Sequence, residues 1–222
     1  MIRIIDYDAG NIKSVEKALL YLGEEAETTR CPEALLKADK VILPGVGSFG
    51  DCMDNLKRFG LIPVIRELVA QGTPFLGICL GLQLLFESSE ESPGVEGLGL
   101  LAGHIRKIPA EIIDGSGAAE GASGQEKRPL KIPHMGWNSL HLQNEGRLFR
   151  NIPEETYVYF VHSYYLQAED PQIVKAVTQY GACIHASVEK DNLFACQFHP
   201  EKSGRWGLEI LRNFAALGKE RS

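Results

Sequence analysis

The sequence contains no Cys-x-x-Cys pair. Its five cysteines, Cys31, Cys52, Cys79, Cys183 and Cys196, are odd in number and scattered, which argues against a disulfide scaffold and a structural zinc site. It also lacks a run of the ~20 apolar residues that a membrane helix requires, so no membrane partner is predicted. An excess of positive charge is missing as well: 23 Lys and Arg stand against 29 Asp and Glu, a net charge of −6. Nucleic-acid binding needs clustered Lys and Arg, so that partner class is set aside. No segment repeats. The opening Met1-Ile2-Arg3-Ile4-Ile5-Asp6 turns polar too soon for a secretory leader and reads as the first strand of a cytoplasmic protein.

What is present fits a globular chain. With 44% hydrophobic and 23% charged residues, disorder is excluded. A chain of 222 residues should bury about 70% or more of its unfolded surface, and one domain over 1–222 is the economical reading. In the first half, strands alternate with helices. Ile2 to Asp6 is a short apolar run. From Asn11, the residues Ile12, Val15, Leu19 and Leu22 recur at helical spacing, with Gly23 as the stop. Val41 to Leu43 is a buried-strand candidate halted by Pro44-Gly45-Val46-Gly47. Leu61 to Val69 reads as a helix, Pro74 to Ile78 as a strand, and Leu80 to Phe86 as the helix that follows at once. This alternation predicts a parallel sheet covered on both faces. Later come strand-like runs at Tyr157 to Val161, Ile173 to Val177, Cys183 to Val188 and Leu193 to Phe198, then a helix from Trp206 to Leu217. Between them, a Gly/Ala/Ser-rich stretch from about 111 to 128 has almost no apolar anchor and is expected to be a mobile surface loop.

One short block carries chemistry. Gly77-Ile78-Cys79-Leu80-Gly81 joins a strand directly to a helix in the form of a nucleophile elbow, with Cys in place of Ser. The turn strains the nucleophile's backbone, and side chains at the two glycine positions would collide with it. The sulfur then sits at a helix N-terminus, where the dipole favours thiolate, and the Leu80 amide faces any oxyanion formed. A thiol nucleophile needs a base. His199 follows a strand and precedes Pro200-Glu201, so Glu201 can hold its tautomer and stabilise imidazolium. The Pro44 to Gly47 turn could supply a second oxyanion donor, although an ordinary turn fits its spacing equally well. The other four cysteines read as small buried hydrophobes. No histidine pair has metal-ligand spacing with a third ligand nearby, so neither a metal nor another cofactor is inferred.

These blocks have a family resemblance. Gly77 to Gln83 with His199-Pro200-Glu201 resembles the class I glutamine amidotransferases. Gly10-Asn11-Ile12, Pro44 to Gly50, Pro133-His134-Met135-Gly136-Trp137-Asn138, Phe160 to Tyr164 and Phe198 to Ser203 are similar to the glutaminase subunits of imidazole glycerol phosphate synthases. The matches run from the first strand to the last helix. The elbow alone marks the superfamily, whereas the Pro133 to Asn138 block marks the subunit.

The resemblance implies an α/β fold: a flavodoxin-like, open, twisted and mostly parallel sheet flanked by helices, with added antiparallel strands in the C-terminal half. It implies a catalytic set of Cys79, His199 and Glu201, which hydrolyses L-glutamine through a thioester. Ammonia would pass to a (β/α)₈ cyclase partner in a heterodimer of histidine biosynthesis. It also implies an oxyanion hole from Leu80 with Gly45, Val46 and Gly47, glutamine contacts from Gln83, Glu91, Ser163 and Tyr164, and a cyclase-facing set of Asn11, Met135, Trp137, Tyr159 and Lys202. Core packing is the competing reading for Trp137 and Tyr159. The Gly/Ala/Ser-rich run Gly115 to Gly124 within the 111–128 stretch looks like an insertion relative to the family pattern and is expected to be dispensable. Rival functions are the same glutaminase chemistry serving an anthranilate, aminodeoxychorismate or pyridoxal phosphate synthase, a partner-free hydrolase, and an inert binding subunit.

Overall fold

The computed structural model describes residues 1–113 and 127–218. Four parallel strands make the centre: β1 (Ile2–Ile5), β2 (Ala26–Thr29), β3 (Lys40–Gly45) and β4 (Phe75–Cys79). They lie in the order β4-β3-β1-β2, and Leu193–Cys196 adds a fifth parallel strand on the other side of β4. Beyond it, Cys183–Lys190, Val174–Gln179 and His141–Leu142 continue the sheet antiparallel to their neighbours, giving eight strands. The expected mixture of a parallel core with antiparallel strands from the second half is the one observed.

Among the described residues, six α-helices pack around this sheet: α1 (Ile12–Tyr21), α2 (Pro32–Leu36), α3 (Phe49–Arg58), α4 (Leu61–Ala70), α5 (Leu80–Leu84) and α6 (Gly204–Ala216). Strand β3 shows why both faces need cover. Its six residues are all buried, and alternate side chains point to opposite faces. Val41 and Leu43 join a core with Leu56, Ile65 and Leu68 of α3 and α4. Ile42 joins another with Val15 and Leu19 of α1 and Ile210, Leu211 and Phe214 of α6. A central strand read as a continuous apolar run is thus what a two-sided sheet demands.

Among the described residues, two smaller sheets accompany the large one besides the strand pair Glu111–Ile113 and Lys127–Pro129. Ser88–Ser89, Gly103–Lys107 and Tyr164–Ala168 form one. His134–Ser139 pairs antiparallel with Tyr157–His162 in the other. Several of these segments, with β2, α2 and α3, escape a reading by hydrophobic pattern. Strand β2 is Ala-Glu-Thr-Thr at a sheet edge, with no apolar alternation to reveal it.

Two expectations need correction. The loop placed at 111–128 begins and ends in paired strands, Glu111–Ile113 against Lys127–Pro129; backbone pairing has no need of the apolar anchors that the pattern lacks. The rest of that stretch lies outside the described residues. Of the four cysteines read as buried, Cys52 and Cys196 are, but Cys31 and Cys183 are exposed. Cys31 precedes α2, with its thiol turned to the Glu33 carboxylate, and Cys183 begins a strand just after a turn.

Candidate active site

Strand β4 ends at Cys79 and α5 starts at the next residue. Cys79 adopts φ 56° and ψ −109°, a conformation that costs a non-glycine residue about 1–3 kcal/mol. The strain persists because the chain around it is packed against itself. A Cβ on Gly81 would lie 1.9 Å from the Leu43 carbonyl oxygen of β3, and one on Gly77 would lie 2.6 Å from the carbonyl oxygen of Gly81. Only glycines allow α5 to fold back so tightly on β3 and β4. Helix α5 stops at Leu84, short of the expected Phe86, so its dipole comes from little more than one turn.

His199 arrives from the neighbouring strand. Leu193–Cys196 runs parallel to β4 in register with it, and the chain continues through Gln197 and Phe198 to His199 at the same sheet edge. Two backbone and side-chain ties hold His199 there. Its amide donates to the Tyr159 carbonyl at 2.9 Å, and its carbonyl accepts from Ser203 Oγ at 2.6 Å. His199 Nδ1 lies 2.8 Å from Glu201 Oε1, and both side chains are almost fully buried. Because a carboxylate only accepts, Nδ1 carries the proton and Nε2 is the nitrogen left for chemistry. Nε2 has no hydrogen-bond partner among the described residues.

The electrostatics support a Cys79–His199 pair. Burial alone disfavours imidazolium, but interactions with Cys79 and Glu201 outweigh it and raise the His199 pKa to about 9. Nε2 makes no hydrogen bond to the thiol in this state, and catalytic hydrogen bonds commonly tighten only when substrate arrives. The Cys79 sulfur also lies 3.8 Å from Gln197 Nε2 and 3.9 Å from the Val161 carbonyl.

These groups open into a pocket of about 360 Å³. Cys79, Leu80 and His199 share its wall with Val46 and Gly47 and with Gln83, Glu91, Ser163 and Tyr164. All the expected glutamine contacts thus meet in one place. The expected oxyanion set is narrower than its sequence block. Val46 and Gly47 reach the pocket, with Gly47 at φ 111°. Gly45 stays in β3, paired with Cys79 and packed against Leu80 and the Tyr7 hydroxyl. Gln83 is also constrained. Its Nε2 donates to the Tyr164 carbonyl at 3.1 Å and to Gln197 Oε1 at 3.0 Å, which leaves only Oε1 to face a ligand. Glu91 accepts from the Phe49 amide at 2.7 Å. A larger hollow of about 590 Å³ lies between Leu142 and Glu189 and contains none of these groups.

The expected partner-facing residues fall into two groups. Met135 and Trp137 are 58% and 54% exposed, so Trp137 is not core. Trp137 pairs across the strands with Tyr159, with ring centroids 6.1 Å apart, and Lys202 is exposed beside the base. Asn11 does something the sequence did not suggest. Its side-chain amide donates to Glu201 Oε1 at 2.6 Å. No local pattern could have revealed this, since the two residues are 190 positions apart. The fold also gathers Glu87, His104 and Glu169 to within 4.8 Å of one another. That grouping is away from the pocket, and Ser88 and the Gly103 amide already engage two of its members.

A cysteine on a strand-to-helix elbow, a histidine held by a carboxylate, and glycine-framed amides beside them, on a doubly wound α/β sheet, are the arrangement that an acyl-transfer site of the glutaminase kind requires. The profile described as "Glutamine amidotransferase class-I" matches residues 3–217, and the chain belongs to that family. Its curated relatives are proteins named imidazole glycerol phosphate synthase subunit HisH. That of Moorella thermoacetica is 48% identical, covering 97% of this chain and 94% of its own. That of Thermosynechococcus vestitus is 47% identical, covering 99% and 98%. Among solved structures, a glutamine amidotransferase crystal structure aligns with TM-score 0.71 over 98% of both chains at 19% identity. The PurLQS structure from Thermotoga maritima aligns with TM-score 0.69 over 96% of each chain at 20% identity. At those identities the likeness concerns the fold.

Proposed function

We propose that the chain is the glutaminase subunit of an imidazole glycerol phosphate synthase and acts in histidine biosynthesis. The observation that carries the chemistry is the alignment of Cys79, His199 and Glu201 at one sheet edge, with His199 Nδ1 2.8 Å from the carboxylate and the pocket opening over the sulfur. Near-full-length identity of 47–48% to subunits of that name supports the pathway assignment.

The reaction follows from the geometry. The Cys79 thiol passes its proton to His199 Nε2 as the sulfur attacks the side-chain amide carbon of L-glutamine, and the carbonyl oxygen becomes an oxyanion facing the Leu80 amide and the Val46–Gly47 peptides. As the C–N bond breaks, His199 Nε2 gives its proton to the leaving nitrogen, releasing ammonia and a thioester on Cys79. Water then attacks the thioester, His199 takes its proton, and glutamate leaves with the sulfur restored. Glu201 holds the imidazole throughout, accepting from Nδ1. Ammonia passes to a cyclase subunit of (β/α)₈ fold bound as a heterodimer. The exposed pair Met135 and Trp137, with Tyr159 and Lys202, forms the face that meets it. Among the described residues, no helix is long and apolar enough to cross a membrane, and the reading places the complex in the cytoplasm.

Glutamate release by the chain alone, and with the cyclase and its nucleotide ligand, tests this. Negligible release alone and strong release in the complex is expected. Full activity without a partner would overturn the synthase assignment, and turnover by Cys79→Ala would overturn the mechanism.

A further inference from the structure

Two buried histidines take no part in the reaction just described. His134 and His162 lie opposite each other on the paired strands His134–Ser139 and Tyr157–His162 and are 3% and 6% exposed. His162 Nδ1 is 2.8 Å from the Tyr164 carbonyl oxygen. A carbonyl can only accept, so Nδ1 carries the proton and Nε2 of the neutral ring offers a lone pair. That lone pair faces His134 Nδ1 at 3.0 Å, so His134 is also protonated on Nδ1. Its own Nε2 then accepts from Asn138 Nδ2 at 3.3 Å. The orientation of the Asn138 amide is set independently, because Nδ2 also donates to the Gln179 carbonyl and Oδ1 accepts from the Ser139 amide. One proton arrangement satisfies every member.

The surroundings keep both rings uncharged. Burial lowers the His134 pKa to about 4 and the His162 pKa to about 3, and His199 adds to the effect on His162. His134 is stacked between Phe160 and Tyr180, with ring centroids 4.8 and 3.9 Å away, so it cannot swing out of line.

The chain does not stop at Tyr164. The same carbonyl accepts from Gln83 Nε2, Gln83 Nε2 donates to Gln197 Oε1, and Gln197 Nε2 faces the Cys79 sulfur. We infer that His134 and His162 are positioning residues of the glutamine pocket: locked in the Nδ1–H tautomer, they fix the Ser163–Tyr164 wall and the Gln83–Gln197 pair in register with the strands that carry Met135 and Trp137. The inference rests on the glutaminase reading. It deepens that reading by making the pocket wall part of one hydrogen-bonded unit with the exposed strand pair.

The test uses the complex with the cyclase. His134→Phe keeps the aromatic stack but removes both ring nitrogens, whereas His134→Asn restores a donor where Nδ1 stands. His134→Phe should raise KM for glutamine about tenfold, the scale of one net hydrogen bond, with kcat much less affected. His134→Asn should recover most of that loss. A purely structural histidine would instead lower the melting temperature and the active fraction with KM unchanged, and that result overturns the inference. Nitrogen-15 shifts of the wild-type chain provide a readout that does not depend on any variant folding. Both rings should be neutral Nδ1–H tautomers at pH 7, and an Nε2–H or charged ring at either position would equally overturn it. Wild-type complex that releases no glutamate would instead overturn the glutaminase reading, and this inference with it.

Discussion

The side-chain amide of Asn11 donates to Glu201 Oε1 at 2.6 Å, the same oxygen that holds His199 Nδ1. The loop before α1 thus reaches the carboxylate that orients the base, and Asn11 adopts φ 69° to do so. A residue expected only at the partner face therefore braces the Glu201–His199 pair.

Asn11→Ala is expected to lower kcat for glutamate release about tenfold or more, the effect of losing one hydrogen bond to a charged group. Asn11→Asp should lower it further, because two carboxylates would then face each other at hydrogen-bond distance. Steady-state kinetics with saturating partner separates this from a contact role. Full kcat with weakened partner binding would place Asn11 in the interface alone.

Gly81→Ala should fail at the level of folding. Its Cβ would sit 1.9 Å from the Leu43 carbonyl oxygen, a backbone atom in the middle of the sheet. A loss of about 4 kcal/mol or more is expected, visible as insoluble protein or a collapse of the denaturation midpoint. A soluble Gly81→Ala protein of near wild-type stability would show that α5 is free to move away from β3.

Stability should peak near neutral pH, and His134, His162 and His199 contribute to its two limbs. The His199 pKa is raised to about 9 in the folded chain, so its contribution is complete below the unfolded value of about 6.5 and is lost as pH rises towards 9. His134 and His162 are lowered to about 4 and about 3, so the folded chain binds fewer protons there than the unfolded one. Their contribution is complete above about 6.5 and is lost as pH falls through that range. Urea midpoints between pH 4 and 9 give the profile. Cys79→Ala should flatten the alkaline limb and lower the His199 midpoint seen by NMR; an unmoved midpoint would refute the Cys79–His199 interaction.

Trp137→Ala should change the stability of the isolated chain by less than about 1 kcal/mol, because the ring is 54% exposed and its contact is an edge packing on Tyr159. Affinity for the cyclase should fall by about 2 kcal/mol, the loss expected of a central aromatic anchor. Titration calorimetry of the two purified subunits measures it, and unchanged affinity would remove Trp137 from the interface.

Legibility in the sequence follows from how local each cause is. The elbow was readable because steric demand places both glycines within two residues of Cys79, and the base was readable because Glu201 is two residues from His199. The central strands announced themselves through continuous apolar runs. Edge strand β2 and, apart from Tyr157–His162, the strands of the small sheets did not, since half-exposed strands carry polar residues that a hydrophobic pattern passes over. The one-turn length of α5 was missed for the opposite reason: Leu84, Leu85 and Phe86 are all buried, and apolar residues continue past the point where the helix ends.

By itself, the sequence singled out Cys79, His199 and Glu201 as the candidate catalytic set, and it determined the alternation that builds a parallel sheet and the family. All of these rest on neighbours within a few residues or on patterns with a fixed period. Only the tertiary structure decided that Asn11 braces Glu201, that Gly45 belongs to the sheet while Val46 and Gly47 line the pocket, that Gln83 spends its N–H groups on Tyr164 and Gln197, and that His134 and His162 share one proton arrangement. Each of these depends on side chains from distant strands meeting where water is excluded. There every buried donor and acceptor must find a partner, and that condition cannot be read one segment at a time.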